Sequence, residues 1–133
     1  MLEASVKIYT EQLTSAHPTI QSVWLLGSRA NGTERPDSDW DLLVFGTREI
    51  LDALKHNQQF HPQIVDLLVV YNGNDFEQPW GEKQKLGSLT EWCWKESSEN
   101  EATYRATKGI FSADGEEEFN VKVTQYKAYR VYP

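Results

Sequence analysis

Apolar residues recur along the chain with two periods, and the switch between them marks the elements. Leu2, Val6, Ile8, Tyr9 and Leu13 return at helical spacing, which predicts an amphipathic opening helix over about 2–16. His17-Pro18 ends it, because the residue before proline avoids the helical region. Val23-Trp24-Leu25-Leu26 is a short continuous apolar run stopped by Gly27-Ser28, the pattern of a buried strand. Residues 29–38 are polar and turn-rich, with Asn31-Gly32 and Pro36-Asp37-Ser38 as breakers. Leu42-Leu43-Val44-Phe45, closed by Gly46, is a second strand. Thr47 is placed to cap a helix over 48–58, with Ile50, Leu51 and Leu54 on one side. Ile64 to Val70 is a third strand, apolar throughout except for Asp66, so both faces of its sheet are expected to be covered.

Beyond Asn72-Gly73-Asn74 the periodicity is lost. Residues 72–98 mix Trp, Lys and Glu with Gly81 and Gly87, and predict no single element. Tyr104–Phe111 and Phe119–Tyr132 read as two strands around Ala113-Asp114-Gly115, a hairpin. Phe119, Val121 and Val123 alternate with Asn120, Lys122 and Thr124, which implies one exposed face. Glu116-Glu117-Glu118 is expected to be a solvated loop edge. The expected fold class is α+β: a mixed central sheet flanked by helices, with a C-terminal β-hairpin extension. One domain over 1–133 is expected, divided into a motif-bearing core, 1–71, and a divergent extension, 72–133.

Composition narrows the functional classes. A chain of 133 residues can bury a real core without disulfides or a structural metal. Its formal charge of −7 argues against a broad basic surface for nucleic acid. It leaves room for small anionic ligands, since a divalent cation can carry the missing positive charge. A single cysteine, Cys93 between Trp92 and Trp94, excludes an internal disulfide and makes a cytoplasmic setting the default. A half-buried thiol beside aromatic packing is expected there. No apolar run approaches a membrane span, so no membrane partner is expected.

The chemistry concentrates in residues 25–45, LLGSRANGTERPDSDWDLLVF. Asp39 and Asp41 are two apart at the start of a strand, so their carboxylates leave one face. Like charges held that close repel, and a divalent cation such as magnesium removes the conflict. Asp66 sits mid-strand in Ile-Val-Asp-Leu-Leu, where an unpaired charge is costly. If the second and third strands are neighbours, Asp66 joins the pair. Three carboxylates around one or two magnesium ions are the machinery of in-line phosphoryl displacement. Gly27 lets the backbone turn tightly after its strand, and the amides and hydroxyl of Ser28 are candidates for phosphate oxygens. Arg29 and Arg35 in the same loop are candidate phosphate contacts.

Each feature also has a plain reading. Gly-Ser after a strand is commonly only a turn, and Asp-x-Asp at a strand edge is commonly a solvated pair. Their joint order is what carries information: strand, Gly-Ser, a ten-residue gap, Asp-x-Asp, strand, helix, strand with Asp. A P-loop is excluded, because Thr33 stands where its lysine is required. His17, His56 and His61 have no zinc-site spacing. Trp80, Trp92, Trp94 and Tyr104 are expected in packing, with a base-stacking platform as the alternative.

Gly27-Ser28, ten residues, then Asp39-Trp40-Asp41, in the form Ser38-Asp39-Trp40-Asp41-Leu42, resembles the signature of the nucleotidyltransferase superfamily that includes DNA polymerase β. The nearest likeness is to its minimal nucleotidyltransferases, and it covers residues about 2–71. The resemblance implies a polymerase β-like fold in which Asp39 and Asp41 bind two magnesium ions. Asp66 would share one and help deprotonate the attacking hydroxyl, while Gly27 and Ser28 hold the triphosphate. It implies transfer of a nucleoside monophosphate from an NTP, with ATP the expected donor, to a hydroxyl of a protein or small molecule. A toxin-like protein partner or a second copy of the chain are the expected macromolecular associates. The alternative is an antitoxin-like module that binds nucleotide or partner with little catalysis.

Overall fold

The computed structural model describes residues 2–60, 64–80, 85–109 and 121–133, of which 106–109 and 121–124 are described as backbone alone. The opening helix, α1 (Ala4–Ala16), buries Val6 and Leu13 completely. Thr10 and Thr14 share that face, and their hydroxyls donate to the carbonyls of Val6 and Thr10, both at 2.9 Å, which satisfies them without solvent. Ile8, expected on the apolar face, is instead 54% exposed. Two residues past Val6 is just over a half-turn around the helix, so the two side chains point in opposite directions.

Strand β1 (Ser22–Leu26) runs into a short helix, α2 (Gly27–Asn31), which replaces the first residues of the expected loop. Gly32 closes α2 in the left-handed conformation, the local act that the Asn-Gly pair foretold. Strand β2 (Trp40–Phe45) pairs antiparallel with β1. Helix α3 (Arg48–Lys55) is capped by the Thr47 hydroxyl, which accepts from the Ile50 amide at 3.3 Å. It ends earlier than expected and is followed by a 3₁₀ turn, Gln58–Phe60. Strand β3 (Val65–Val70) then returns parallel to β2, a pairing that needs such a crossover.

The unassigned middle resolves into short strands, β4 (Asp75–Glu77), β5 (Leu86–Ser88) and β6 (Lys95–Glu96). The hairpin strands are β7 (Glu101–Gly109) and β8 (Val121–Tyr132), paired antiparallel. Its tip lies outside the described residues, together with Ala113-Asp114-Gly115, Glu116–Glu118 and Phe119, and the expected side-chain alternation falls largely there too. The hairpin is not an appendage. The described strands form one eight-stranded sheet in the order β5-β4-β3-β2-β1-β8-β7-β6, so β8 lies directly beside β1.

Strand parity sends alternate residues to two cores. Val23, Leu25, Leu42, Val44, Leu67 and Val69 face α1 and α3. Trp80 joins this side, its indole donating to the Leu54 carbonyl at 2.6 Å, and Lys55 pairs with Glu77 to tie α3 to β4. The opposite face carries Trp24, Leu26, Leu43 and Val70, and no helix among the described residues contributes to its core. There the expectation of flanking helices is corrected: a curled sheet and the turn 89–94 provide the cover. Trp94 packs edge-on to Trp24 with centroids 5.2 Å apart, and Trp92 stacks on Tyr104 at 5.0 Å. Burying aromatic area does here what a helix does on the other face. Cys93, between the two tryptophans, is exposed with φ +52°, because the turn that aims both rings inward throws the intervening residue out. No helix among the described residues is long and apolar enough to cross a membrane.

Candidate active site

The helix-free face is where the chemistry collects. Asp41 and Asp66 are direct register partners on the parallel strands β2 and β3, and both have the parity of the helix-free face. A local feature, one aspartate inside each apolar strand, thus becomes a carboxylate pair through strand pairing alone. Both line a half-open cavity of about 560 Å³, within the size range of small-ligand pockets. Burial pushes the Asp41 carboxyl up to about 6. The negative charges of Asp66 and Asp39 and a hydrogen bond with Asp66 add to the rise, and Lys85 opposes it.

Gly27 forms the cavity's edge at the end of β1, with φ +70°. A Cβ there would collide with the Asp41 carboxylate, so glycine is required both by the backbone and by the carboxylate beside it. The Gly27 amide donates to the Tyr104 hydroxyl at 2.9 Å, a contact across 77 positions of sequence. Burial pushes the Tyr104 phenol up to about 12, with the Gly27 bond opposing and Asp41 and Tyr126 contributing. The phenol therefore stays neutral and serves as a fixed acceptor for the turn.

The remaining residues of the motif take different places. Asp39 precedes β2, is exposed, and reaches the pair through its charge. Among the described residues no three His, Cys, Asp or Glu side chains are gathered to enclose a metal ion. Asp41 and Asp66 are therefore the oxygen donors brought together, and Asp39 stands beside them on the strand's approach. Ser28 is half-buried in α2, next to Gly27. The Arg29 guanidinium donates to the Ser38 carbonyl at 3.0 Å and lies over the Trp40 ring at 4.6 Å. In this position it braces the segment leading into Asp39 and Asp41. Arg35 is exposed on the same loop.

Several lining residues had no signal in the sequence. Lys85, Glu91, Trp92 and Tyr104 reach the cavity from beyond residue 84. The aromatic pair was expected in packing, with base stacking as the alternative, and nothing in the local pattern connects Lys85 to Asp41. Only the curl of the sheet brings them over the carboxylates.

Comparison with known families agrees with this geometry. Residues 10–71 match the family described as polymerase beta, nucleotidyltransferase, the stretch holding Gly27, Asp39, Asp41 and Asp66. Over these residues the chain is similar to the polymerase β-like nucleotidyltransferases. The general function that follows is nucleotidyl transfer. No curated protein and no solved structure matches the chain.

Proposed function

We propose that this protein transfers a nucleoside monophosphate from a magnesium-bound NTP, with ATP the expected donor, to an acceptor hydroxyl, releasing pyrophosphate. The observation that carries the reading is the Asp41–Asp66 pair, in register on parallel strands and facing a cavity whose edge is Gly27. A half-buried carboxylate pair in which burial and the facing charge make Asp41 resist ionisation is a natural host for a hard divalent cation. Asp41 and Asp66 would hold it, with Asp39 closing in from the loop. Bound there, magnesium would neutralise charge on the triphosphate and favour the alkoxide form of the acceptor.

The chain's own groups account for the rest. Gly27 and Ser28 present the turn that receives the β- and γ-phosphates, and Tyr104 keeps that turn in place. Asp66 accepts the acceptor's proton as its oxygen forms the new bond to the α-phosphorus. The bond from the α-phosphorus to the bridging oxygen breaks, and its electron pair leaves with pyrophosphate. Arg29 acts at one remove by holding the Ser38 carbonyl, hence the approach to Asp39 and Asp41.

A second reading, nucleotide binding without transfer, draws on one observation, the exposed position of Asp39 outside the carboxylate pair. The two separate in one experiment. α-Labelled NTP, magnesium and a panel of hydroxyl acceptors are incubated with the protein and with Asp41→Asn. Label transfer that disappears in the variant is expected. A magnesium-dependent thermal shift with NTP but no transfer to any acceptor would establish the binding module instead.

A further inference from the structure

We infer that Phe76, Gln78 and residues 85–92 build the acceptor pocket, and that the acceptor is a small alcohol or phenol with an apolar, ring-sized body. This rests on the nucleotidyl-transfer reading and extends it to the substrate the family match leaves open, since the residues of that wall, Leu68 apart, lie beyond position 71.

The argument is one of direction. In-line displacement puts the attacking oxygen opposite the leaving pyrophosphate, with the phosphorus between them. Along the sheet the order is β1, β2, β3, β4, β5. The phosphate-receiving turn is at the end of β1, and the carboxylates are on β2 and β3. Pyrophosphate held at Gly27 therefore departs toward the β1 side, and the hydroxyl enters from the β4–β5 side. The cavity extends in that direction, past Asp66 to Phe76, Gln78, Leu86 and Gly87.

The wall is apolar and shaped. The distal end of the Phe76 ring comes so close to Gly87 that a Cβ there would stand 2.6 Å from its Cζ. Trp92 sits against the same ring with centroids 4.5 Å apart, and Leu68 and Leu86 continue the lining. Polar groups share the cavity with it: Gln78, Lys85 and Glu91 beside the wall, and Asp41, Asp66 and Tyr104 at the carboxylate end. An apolar wall facing polar groups selects a body with one apolar side and places its hydroxyl beside Asp66. Leu86 is 68% exposed at the mouth, a large apolar side chain positioned to meet a ligand at little folding cost when changed.

Tyramine is a direct probe, with glycerol as a hydroxyl lacking the apolar body and a denatured, tyrosine-bearing protein as a macromolecular acceptor. Ligand-observed NMR measures binding to the whole chain, and α-labelled NTP with magnesium measures transfer. Saturable tyramine binding is expected, with transfer roughly tenfold or more above glycerol in kcat/KM. Leu86→Ser should weaken tyramine binding about fivefold through lost apolar contact, while the magnesium–NTP thermal shift stays as in wild type. Equal use of glycerol, label on the protein acceptor alone, or an unaltered tyramine affinity in Leu86→Ser would overturn the pocket. Tyramine binding that responds to Leu86→Ser, with no transfer to any acceptor, would uphold the ligand site and overturn its role as acceptor site. The absence of any magnesium–NTP shift would count against the nucleotidyl-transfer reading itself.

Discussion

Replacing Asp41 with asparagine should stabilise the metal-free protein while removing its activity. Burial and the facing Asp66 raise the Asp41 pKa from 3.8 to about 6, so ionising it at neutral pH costs folding free energy. A shift of about two units at roughly 1.36 kcal/mol each sets a ceiling near 3 kcal/mol. Solvent reaches the carboxylate from the half-open cavity, which reduces the expected gain to about 1–2 kcal/mol. At roughly 4 °C per kcal/mol for a chain of this size, Tm should rise by about 4–8 °C. The variant is isosteric, so the clearance at Gly27 is kept, and its amide can donate to Asp66 as the protonated acid does. The sign with pH follows from the raised value. Between the unfolded and folded pKa the native state binds more protons, so this contribution to stability falls as pH rises from about 4 to about 6 and is flat above. The advantage of the variant is therefore largest at neutral pH and shrinks to roughly a fifth by pH 4. Differential scanning fluorimetry in chelator at neutral pH and at pH 4 makes the test. A variant no more stable than wild type at neutral pH, or an advantage independent of pH, would refute the reasoning. Adding magnesium and NTP should raise the Tm of wild type and leave that of Asp41→Asn unchanged.

Gly27→Ala places a Cβ against the Asp41 carboxylate at φ +70°, and should cost about 1–3 kcal/mol with loss of the magnesium–NTP shift, read by urea unfolding and thermal shift. Tyr104→Phe leaves the Gly27 amide without its acceptor; a loss of about 1–2 kcal/mol is expected, together with a raised KM for NTP in a transfer assay. Thr47→Ala removes the cap of α3 far from the cavity, so about 1 kcal/mol of stability should go while kcat/KM stays at the wild-type value.

Much of the core was legible because it is written in short-range pattern. The runs at 23–26, 42–45 and 64–70, the Thr47 cap and the Gly27 turn each depend on residues within a few positions. Asp66 stood out for the same reason, as a charge in an apolar strand. The segment 72–98 was not legible, because strands of two or three residues are too short to show a period. Arg29 was read from its charge as a phosphate contact, whereas its hydrogen bonds go to loop carbonyls that no local pattern predicts.

Alternation along each strand thus determined which residues share a face, and turn chemistry determined where the strands stop. Neither states which strand lies beside which. Pairing decided that Asp41 stands opposite Asp66, and that β8 enters the sheet next to β1. The curl of that sheet then brought Tyr104 to Gly27 and Trp92 to Phe76, covering a face no helix protects. These contacts join positions far apart in the chain. They depend on burying one shared surface, which belongs to the assembled sheet and to no segment of it.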